Sequence, residues 1–213
     1  MTQVFIVGFG KFGKKALDRV TSLWGKARVW IIDHSPEVLG QKISLPGIRV
    51  LADGPQFLTK YQDWIKDEDW VIPALPVHLA WKWLDLNLKA PKGHEVVSPP
   101  KEFGSGLPYV EFFGQGLFLS YASFVCPENC PAPIQHCFKT KEKRPVPLWQ
   151  FIADQRGRDR GLEVIESRQL APGAGGYPFG ELRRIRNQAM VSPRPFFVAT
   201  ACRCHGVVHG LTW

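Results

Sequence analysis

The stretch Val4-Phe5-Ile6-Val7-Gly8-Phe9-Gly10-Lys11-Phe12-Gly13 decides the fold. A short apolar run ends in a glycine-rich turn, which opens directly into Lys14-Lys15-Ala16-Leu17-Asp18-Arg19-Val20, a helix. In that strand–turn–helix context, G-x-G-x-x-G signals a dinucleotide-binding turn rather than a chance run of glycines. Gly8 permits the tight turn, Gly10 lets backbone approach a pyrophosphate, and Gly13 lets helix and strand pack closely. The helix N-terminus offers N–H groups and a positive dipole end to the phosphates. Phe9, Lys11 and Phe12 lie within the same turn, and Lys11 is placed to help neutralise the phosphates.

An acidic strand end strengthens this reading. Asp33 closes Val29-Trp30-Ile31-Ile32-Asp33, twenty residues after Gly13. A carboxylate there accepts hydrogen bonds from an adenine ribose. It would also select NAD(H) by repelling a 2′-phosphate. The bland alternative is a strand–helix turn that binds nothing.

Strand and helix signals alternate through the first hundred residues, as a parallel sheet requires. Strands are expected near 3–8, 27–33, 48–51, 70–75 and 95–97. Helices are expected near 11–24, from Ser35-Pro36-Glu37, over 55–64 and over 77–88. Asp53 ends the third strand and His78 follows the fourth, at the carboxyl edge where open α/β sheets bind ligands. Asp53 suits an ordinary turn equally well, and His78 a capping residue. The expected fold is α/β, a doubly wound Rossmann-like parallel sheet forming a dinucleotide-binding domain over 1–100. A cysteine-containing α/β extension over 101–213 follows, open to continuing the same sheet through strands near 162–169 and 196–200. Within it, 109–113 and 117–124 read as a hairpin, and 171–176 as a second glycine-rich turn entering a helix. Phe196-Phe197-Val198-Ala199 reads as the last clear strand.

Gly8-Phe9-Gly10-Lys11-Phe12-Gly13, Asp33, Ile48–Gly54 and Asp69-Trp70-Val71-Ile72 together resemble the TrkA N-terminal family over about residues 1–90. The resemblance implies an NAD-binding regulatory domain of a potassium transport system, with a membrane-transport partner protein and pairing into a homodimer. Pro73, Pro76 and the cysteine-bearing second half depart from the family's pattern.

All five cysteines lie in two tight groups: Cys126-Pro127-Glu128-Asn129-Cys130-Pro131-Ala132-Pro133-Ile134-Gln135-His136-Cys137 and Cys202-Arg203-Cys204-His205. Proline restricts the backbone and can hold such a loop so that sulfurs converge. In a cytoplasmic protein this pattern points to metal or redox chemistry rather than structural disulfides. Cys126, Cys130 and Cys137 with Cys202 or Cys204 make a Cys₄ set suited to a [4Fe–4S] cluster or a tetrahedral zinc. The spacing C-x₃-C-x₆-C is neither the ferredoxin pattern nor a zinc knuckle, and plain or redox-active thiols stay open. His136 or His205 can substitute as ligand. Adjacent-but-one residues such as Cys202 and Cys204 point opposite ways on an extended chain, so one of the two is expected to bind.

The 213 residues carry 27 basic and 19 acidic side chains, a net charge of +8. The excess is spread over both halves, with only Lys139-Thr140-Lys141-Glu142-Lys143-Arg144 and Arg183-Arg184-Ile185-Arg186 locally dense. These read as a solvated loop and an outer helix face, so attraction of an anionic cofactor is favoured over nucleic acid. No apolar run reaches the roughly twenty residues that cross a bilayer, and a cytoplasmic location is expected. The expected function is an NAD(H)-binding redox protein carrying a cysteine-ligated iron–sulfur cluster, in electron transfer with a redox partner or in redox sensing. The alternative is a TrkA-like regulatory module with structural zinc or redox-sensing thiols and no turnover.

Overall fold

The structure, a computed structural model, describes residues 2–41, 46–88, 93–172 and 174–213. It is mixed α/β, with two six-stranded mixed sheets, and divides into two compact units. The first comprises residues 1–86 and 168–183; the second comprises 87–167 and 184–213. The single cut near residue 100 suggested by the sequence is thus replaced by a discontinuous division.

In the first unit, β1 (Gln3–Val7) pairs in parallel with β2 (Arg28–Asp33) on one side and β4 (Trp70–Pro73) on the other. Strand β3 (Ile48–Leu51) extends the sheet beyond β2, also in parallel. Val4, Phe5, Ile6 and Val7 are all buried, as a strand covered on both faces demands. Helix α1 (Lys11–Leu23) lays Gly13, Ala16, Leu17 and Val20 on this core, the three- and four-residue spacing of a buried helical stripe. Two single- or double-turn helices follow β2 and β3: α2 (Pro36–Leu39), capped by Ser35, and α3 (Gly54–Lys60), capped by Asp53.

The far side of β4 departs from the expected parallel sheet. The place beside β4 is taken by β10 (Ala174–Pro178), running antiparallel, and β9 (Arg168–Ala171) pairs antiparallel with β10. The glycine-rich segment 171–176 therefore belongs mostly to a β-hairpin; Gly173 lies outside the described residues. A Cβ at Gly176 would sit 2.5 Å from the carbonyl oxygen of Val71, so the close approach to β4 requires glycine. Helix α4 (Leu79–Asn87) follows β4, and α6 (Gly180–Val191) follows β10.

The second unit has the strand order β6-β7-β12-β11-β8, where β6 is Tyr109–Phe113, β7 Gly116–Ser120, β12 His205–Thr212, β11 Phe196–Ala201 and β8 Gly161–Glu166. Strand β5 (Glu95–Val97), expected to extend the first sheet, pairs antiparallel with β12 instead. Strands β8 and β11 likewise belong here and do not continue the first sheet. Helix α5 (Leu148–Ala153) buries Leu148 and Ile152 on this sheet's core, with Phe103, Leu162, Phe197 and Val208.

Strand β12 is the element the sequence hid, because two glycines and two histidines interrupt its apolar pattern. Gly210 is needed where it stands: a Cβ would meet the Val97 carbonyl oxygen at 2.5 Å and the Phe197 ring at 2.6 Å. The interruption is the cost of seating a strand between close neighbours.

Asp69 is fully buried at the head of β4. Its carboxylate accepts the Gln3 backbone N–H at 2.8 Å, the Gln3 side-chain amide at 3.2 Å and the Lys66 N–H at 3.0 Å, tying the start of β1 to the start of β4. Asp69→Ala removes a buried carboxylate that accepts three hydrogen bonds and should lower the unfolding free energy by about 3 kcal/mol in urea titrations. Asp53→Ala removes only an exposed helix cap and should cost about 1 kcal/mol in the same assay.

Candidate functional site

The glycine turn joins the carboxyl end of β1 to α1. Gly8 has φ +95°, a conformation that favours glycine, and a Cβ there would lie 2.6 Å from the Ala74 carbonyl oxygen. At Gly13 a Cβ would lie 2.1 Å from the Gly8 carbonyl oxygen, so the helix rests directly on the turn. At Gly10, by contrast, an added methyl meets nothing within 4 Å. The turn is therefore closed beneath its first and third glycines and open above its second. Among the described residues, no side chain caps α1 and no acidic residue occupies its first turn. Its N–H groups and dipole are left to face an anion.

Asp33 has a further role that the sequence did not show. Its Oδ2 accepts the Phe9 N–H at 2.6 Å and its Oδ1 the Ser35 N–H at 2.9 Å, so it fastens the glycine turn to the end of β2. A carboxylate has about four acceptor positions, so capacity remains for ribose hydroxyls. Phe9 itself is a core residue with a fully buried ring. Its N–H is donated to Asp33. Lys11 and Phe12 are exposed on the first turn of α1. Asp53 accepts the Gln56 N–H at 3.0 Å as the cap of α3, the turn reading of that residue. His78 is buried just before α4, and its carbonyl accepts the Lys82 N–H at 3.0 Å.

The cysteines lie in the second unit, and the backbone explains why the two groups meet. The tight turn between β11 and β12 is closed by the Cys202 N–H on the His205 carbonyl at 2.9 Å. Tyr121 donates its N–H to the Cys204 carbonyl and Leu148 donates to the Arg203 carbonyl, each at 3.0 Å. The cysteine loop thus begins and ends on the turn that carries Cys202 and Cys204. His205 spans the two groups, its Nε2 3.4 Å from the Cys126 sulfur and its Nδ1 3.8 Å from the Cys202 sulfur.

Two of the sulfurs receive backbone N–H groups. The Cys202 sulfur accepts from Cys204 and His205, each at 3.4 Å. Burial opposes ionisation at Cys202, but His205 and these N–H groups hold the thiol below the ordinary cysteine range. The Cys137 sulfur accepts the Thr140 N–H at 3.5 Å. That bond, with help from Lys139 and Arg144 and against burial, lowers the Cys137 thiol to about 7. Cys126 is pushed up by burial and by the neighbouring thiols of Cys130, Cys137 and Cys202. Cys204 is buried and is raised to about 12, by burial first, with Cys202, Cys126 and Cys130 adding to the shift and Arg144 opposing it. The Tyr121 hydroxyl is buried without a hydrogen-bond partner among the described residues, close enough to Cys204 to feel its charge. No disulfide joins the five cysteines. Among the described residues, no three His, Cys, Asp or Glu side chains are close enough together to enclose a metal ion. The donor set is nevertheless of the right chemistry for a thiophilic metal: sulfurs, one bridging imidazole and N–H groups that stabilise thiolate. Neither Tyr121 nor Arg144 stood out in the sequence, because only the fold brings them to the sulfurs.

Residues 78–213 match the AF_1314_C family, described as "Uncharacterized protein, C-terminal domain". The chain belongs to this family. It is also similar to an "Uncharacterized protein" of Archaeoglobus fulgidus, 31% identical over 220 residues and covering 97% of each chain. No solved structure matches. The match corrects the resemblance to the TrkA N-terminal family: residues 1–90 match neither that family nor another Rossmann family. The motif behind the resemblance is short and common to many nucleotide folds, so it does not carry family membership. The potassium-transport partner and the homodimer rest on that resemblance alone. No described helix is long and apolar enough to cross a membrane.

In metal-free protein, iodoacetamide should modify Cys137 first and Cys204 last, read by peptide mass spectrometry. Since the thiolate is the nucleophile, the Cys137 rate should rise with pH through a midpoint near 7. An unperturbed thiol would titrate near ~8.5.

Proposed function

We infer that the protein is an NAD(H)-binding redox protein whose second unit carries a cysteine-ligated metal centre, a [4Fe–4S] cluster in the first instance. The observation that carries the reading is the sulfur arrangement: a loop bearing Cys126, Cys130 and Cys137 pinned at both ends to the turn bearing Cys202 and Cys204. N–H groups directed at the Cys137 and Cys202 sulfurs stabilise the charged form that a metal requires. Cys126, Cys130, Cys137 and Cys202 would be the ligands, with Cys204, the most buried and least acidic thiol, left out.

The nucleotide half of the reading rests on the first unit. Its parallel strands run β3-β2-β1-β4, the first four places of the 3-2-1-4-5-6 order of a doubly wound Rossmann sheet, and the glycine turn leaves the carboxyl end of β1. Gly8 and Gly13 close the turn, Gly10 leaves room for a pyrophosphate, and Asp33 would accept from the ribose and repel a 2′-phosphate. Nicotinamide delivers a hydride and an iron–sulfur cluster passes single electrons, so the pair would let a two-electron donor serve one-electron partners.

A second reading, a zinc centre, is favoured by one observation, the imidazole of His205 lying between the sulfurs of Cys126 and Cys202. Zinc accepts such mixed sulfur–imidazole sets.

Protein purified without oxygen should show a broad band near roughly 400 nm and about four irons per chain. One zinc per chain, lost in His205→Ala, would replace the cluster by the second reading, and a metal-free protein would overturn both. Calorimetric titration should show NADH binding that Gly10→Val weakens by at least about tenfold. The variant's melting temperature should fall only slightly, because a Cβ there meets nothing within 4 Å and the cost is that of a poorer N-cap for α1. Equal affinity in wild type and variant would remove the glycine turn from the site.

A further inference from the structure

The basic run from Lys139 to Arg144 reads in sequence as a solvated loop, but in the second unit it forms one wall of a cleft. The segment from Ile134 to Pro147, with Arg203, encloses about 630 Å³. That is within the roughly 300–1,000 Å³ of small-molecule sites. Lys141, Lys143, Arg144 and Arg203 line it together with His136, and no carboxylate is among the lining residues described. Glu142, the one acid within the run, is engaged with the Thr140 hydroxyl, which donates to it at 2.9 Å. Among the described residues, no carboxylate pairs with any of the four cations. Arg144 is steadied by donating to the Pro133 carbonyl at 3.0 Å.

Four like charges around one cleft repel one another, and a solvated face relieves such repulsion by interspersing acids. Glu142, between Lys141 and Lys143, is the one acid interspersed in the run, and it does not line the cleft. The chain also holds Lys141 at φ +64°, a left-handed conformation that non-glycine residues seldom adopt. Strain of this kind concentrates at ligand sites. The rest of the lining is apolar, supplied by Ile134, Pro145, Val146 and Pro147.

We propose that this cleft binds a small organic phosphate, with the phosphate held by Lys141, Lys143, Arg144 and Arg203 and an apolar body lying on Ile134 and Val146. A phosphate monoester brings nearly two negative charges and three acceptor oxygens, against one charge and two oxygens for a carboxylate. It therefore satisfies cations converging from both the 134–147 segment and the 202–205 turn. Guanidinium forks and lysine point charges are the two standard phosphate donors. The proposal stands on the cleft's shape and charge and is independent of the dinucleotide, while Arg144 is shared with the cysteine site, where it also bears on the thiols.

The test is calorimetric titration of the full chain, as purified, with phenyl phosphate, inorganic phosphate and benzoate. Phenyl phosphate should bind more tightly than inorganic phosphate, which lacks the ring, and than benzoate, which lacks the second charge. The double variant Lys143→Gln/Arg203→Gln should weaken phenyl phosphate by about tenfold or more with the melting temperature unchanged. Gly10→Val should leave this affinity as it is. If the double variant loses its fold, Lys143→Gln alone, at an exposed position, tests the same contact through a smaller loss of affinity. Absence of binding at millimolar phenyl phosphate would overturn the proposal. So would benzoate binding as tightly, or affinity lost in Gly10→Val but kept in the cleft variants.

Discussion

The contact on which the first unit depends is that of α1 against the end of β1. Gly13 lies so near the Gly8 carbonyl that no side-chain carbon fits between them, and Gly8 is pressed in turn against the Ala74 backbone. A helix seated this closely starts at the carboxyl edge of the strand and lines the turn with backbone. Asp33 then fixes the turn from the side by taking the Phe9 N–H. What is left open is the space above Gly10. Its openness follows from the tightness below it, because the same close seating that excludes side chains at Gly8 and Gly13 holds the backbone between them in place.

In the second unit the corresponding constraint is β12, held between β7 and β11 and pairing with β5 as well. Its glycines are required by that crowding, and its first residue, His205, ends the turn that presents Cys202. The cysteine loop cannot drift from this turn, because Tyr121 and Leu148 at its two ends are hydrogen-bonded to it. Convergence of residues far apart in the chain is thus a property of the sheet, and the proline-rich loop need only fold over a short span.

The sequence carried some of this and not the rest, for physical reasons. Glycine spacing, the apolar strand and the acidic strand end are local signals, and β1, α1 and β2 lie where the sequence places them. The hairpin β6–β7 is equally legible, since glycines mark its turn. Strand partners are not legible. Glu95-Val96-Val97 reads as one more strand of the first sheet, but an isolated three-residue strand has no signal for its neighbour, and β12 takes it. Strand β12 itself escapes because glycines that serve packing look like turn residues. At the site, the cysteines announce themselves by clustering, while Tyr121, Arg144 and the bridging position of His205 depend on tertiary contacts. Asp69, which ties β1 to β4, stands out in the sequence only within a family resemblance that did not hold, although its buried carboxylate is worth more to the fold than the exposed Asp53.

In the proposed reading, a bound cation would complete the electrostatics of the cysteine loop and its turn. Burial first, and the neighbouring thiols after it, push Cys126 and Cys204 up, while backbone N–H groups lower Cys137 and, with His205, Cys202. The protein supplies enough N–H groups to support two thiolates, and one guanidinium, Arg144, that bears on the rest. A Cys₄ centre needs four. In the proposed centre a metal's own positive charge would provide the difference, since a coordinated thiol is deprotonated outright. The N–H groups at Cys137 and Cys202 would give a metal its first two ligands, one from the loop and one from the turn, and the remaining loop cysteines would ionise as they bind.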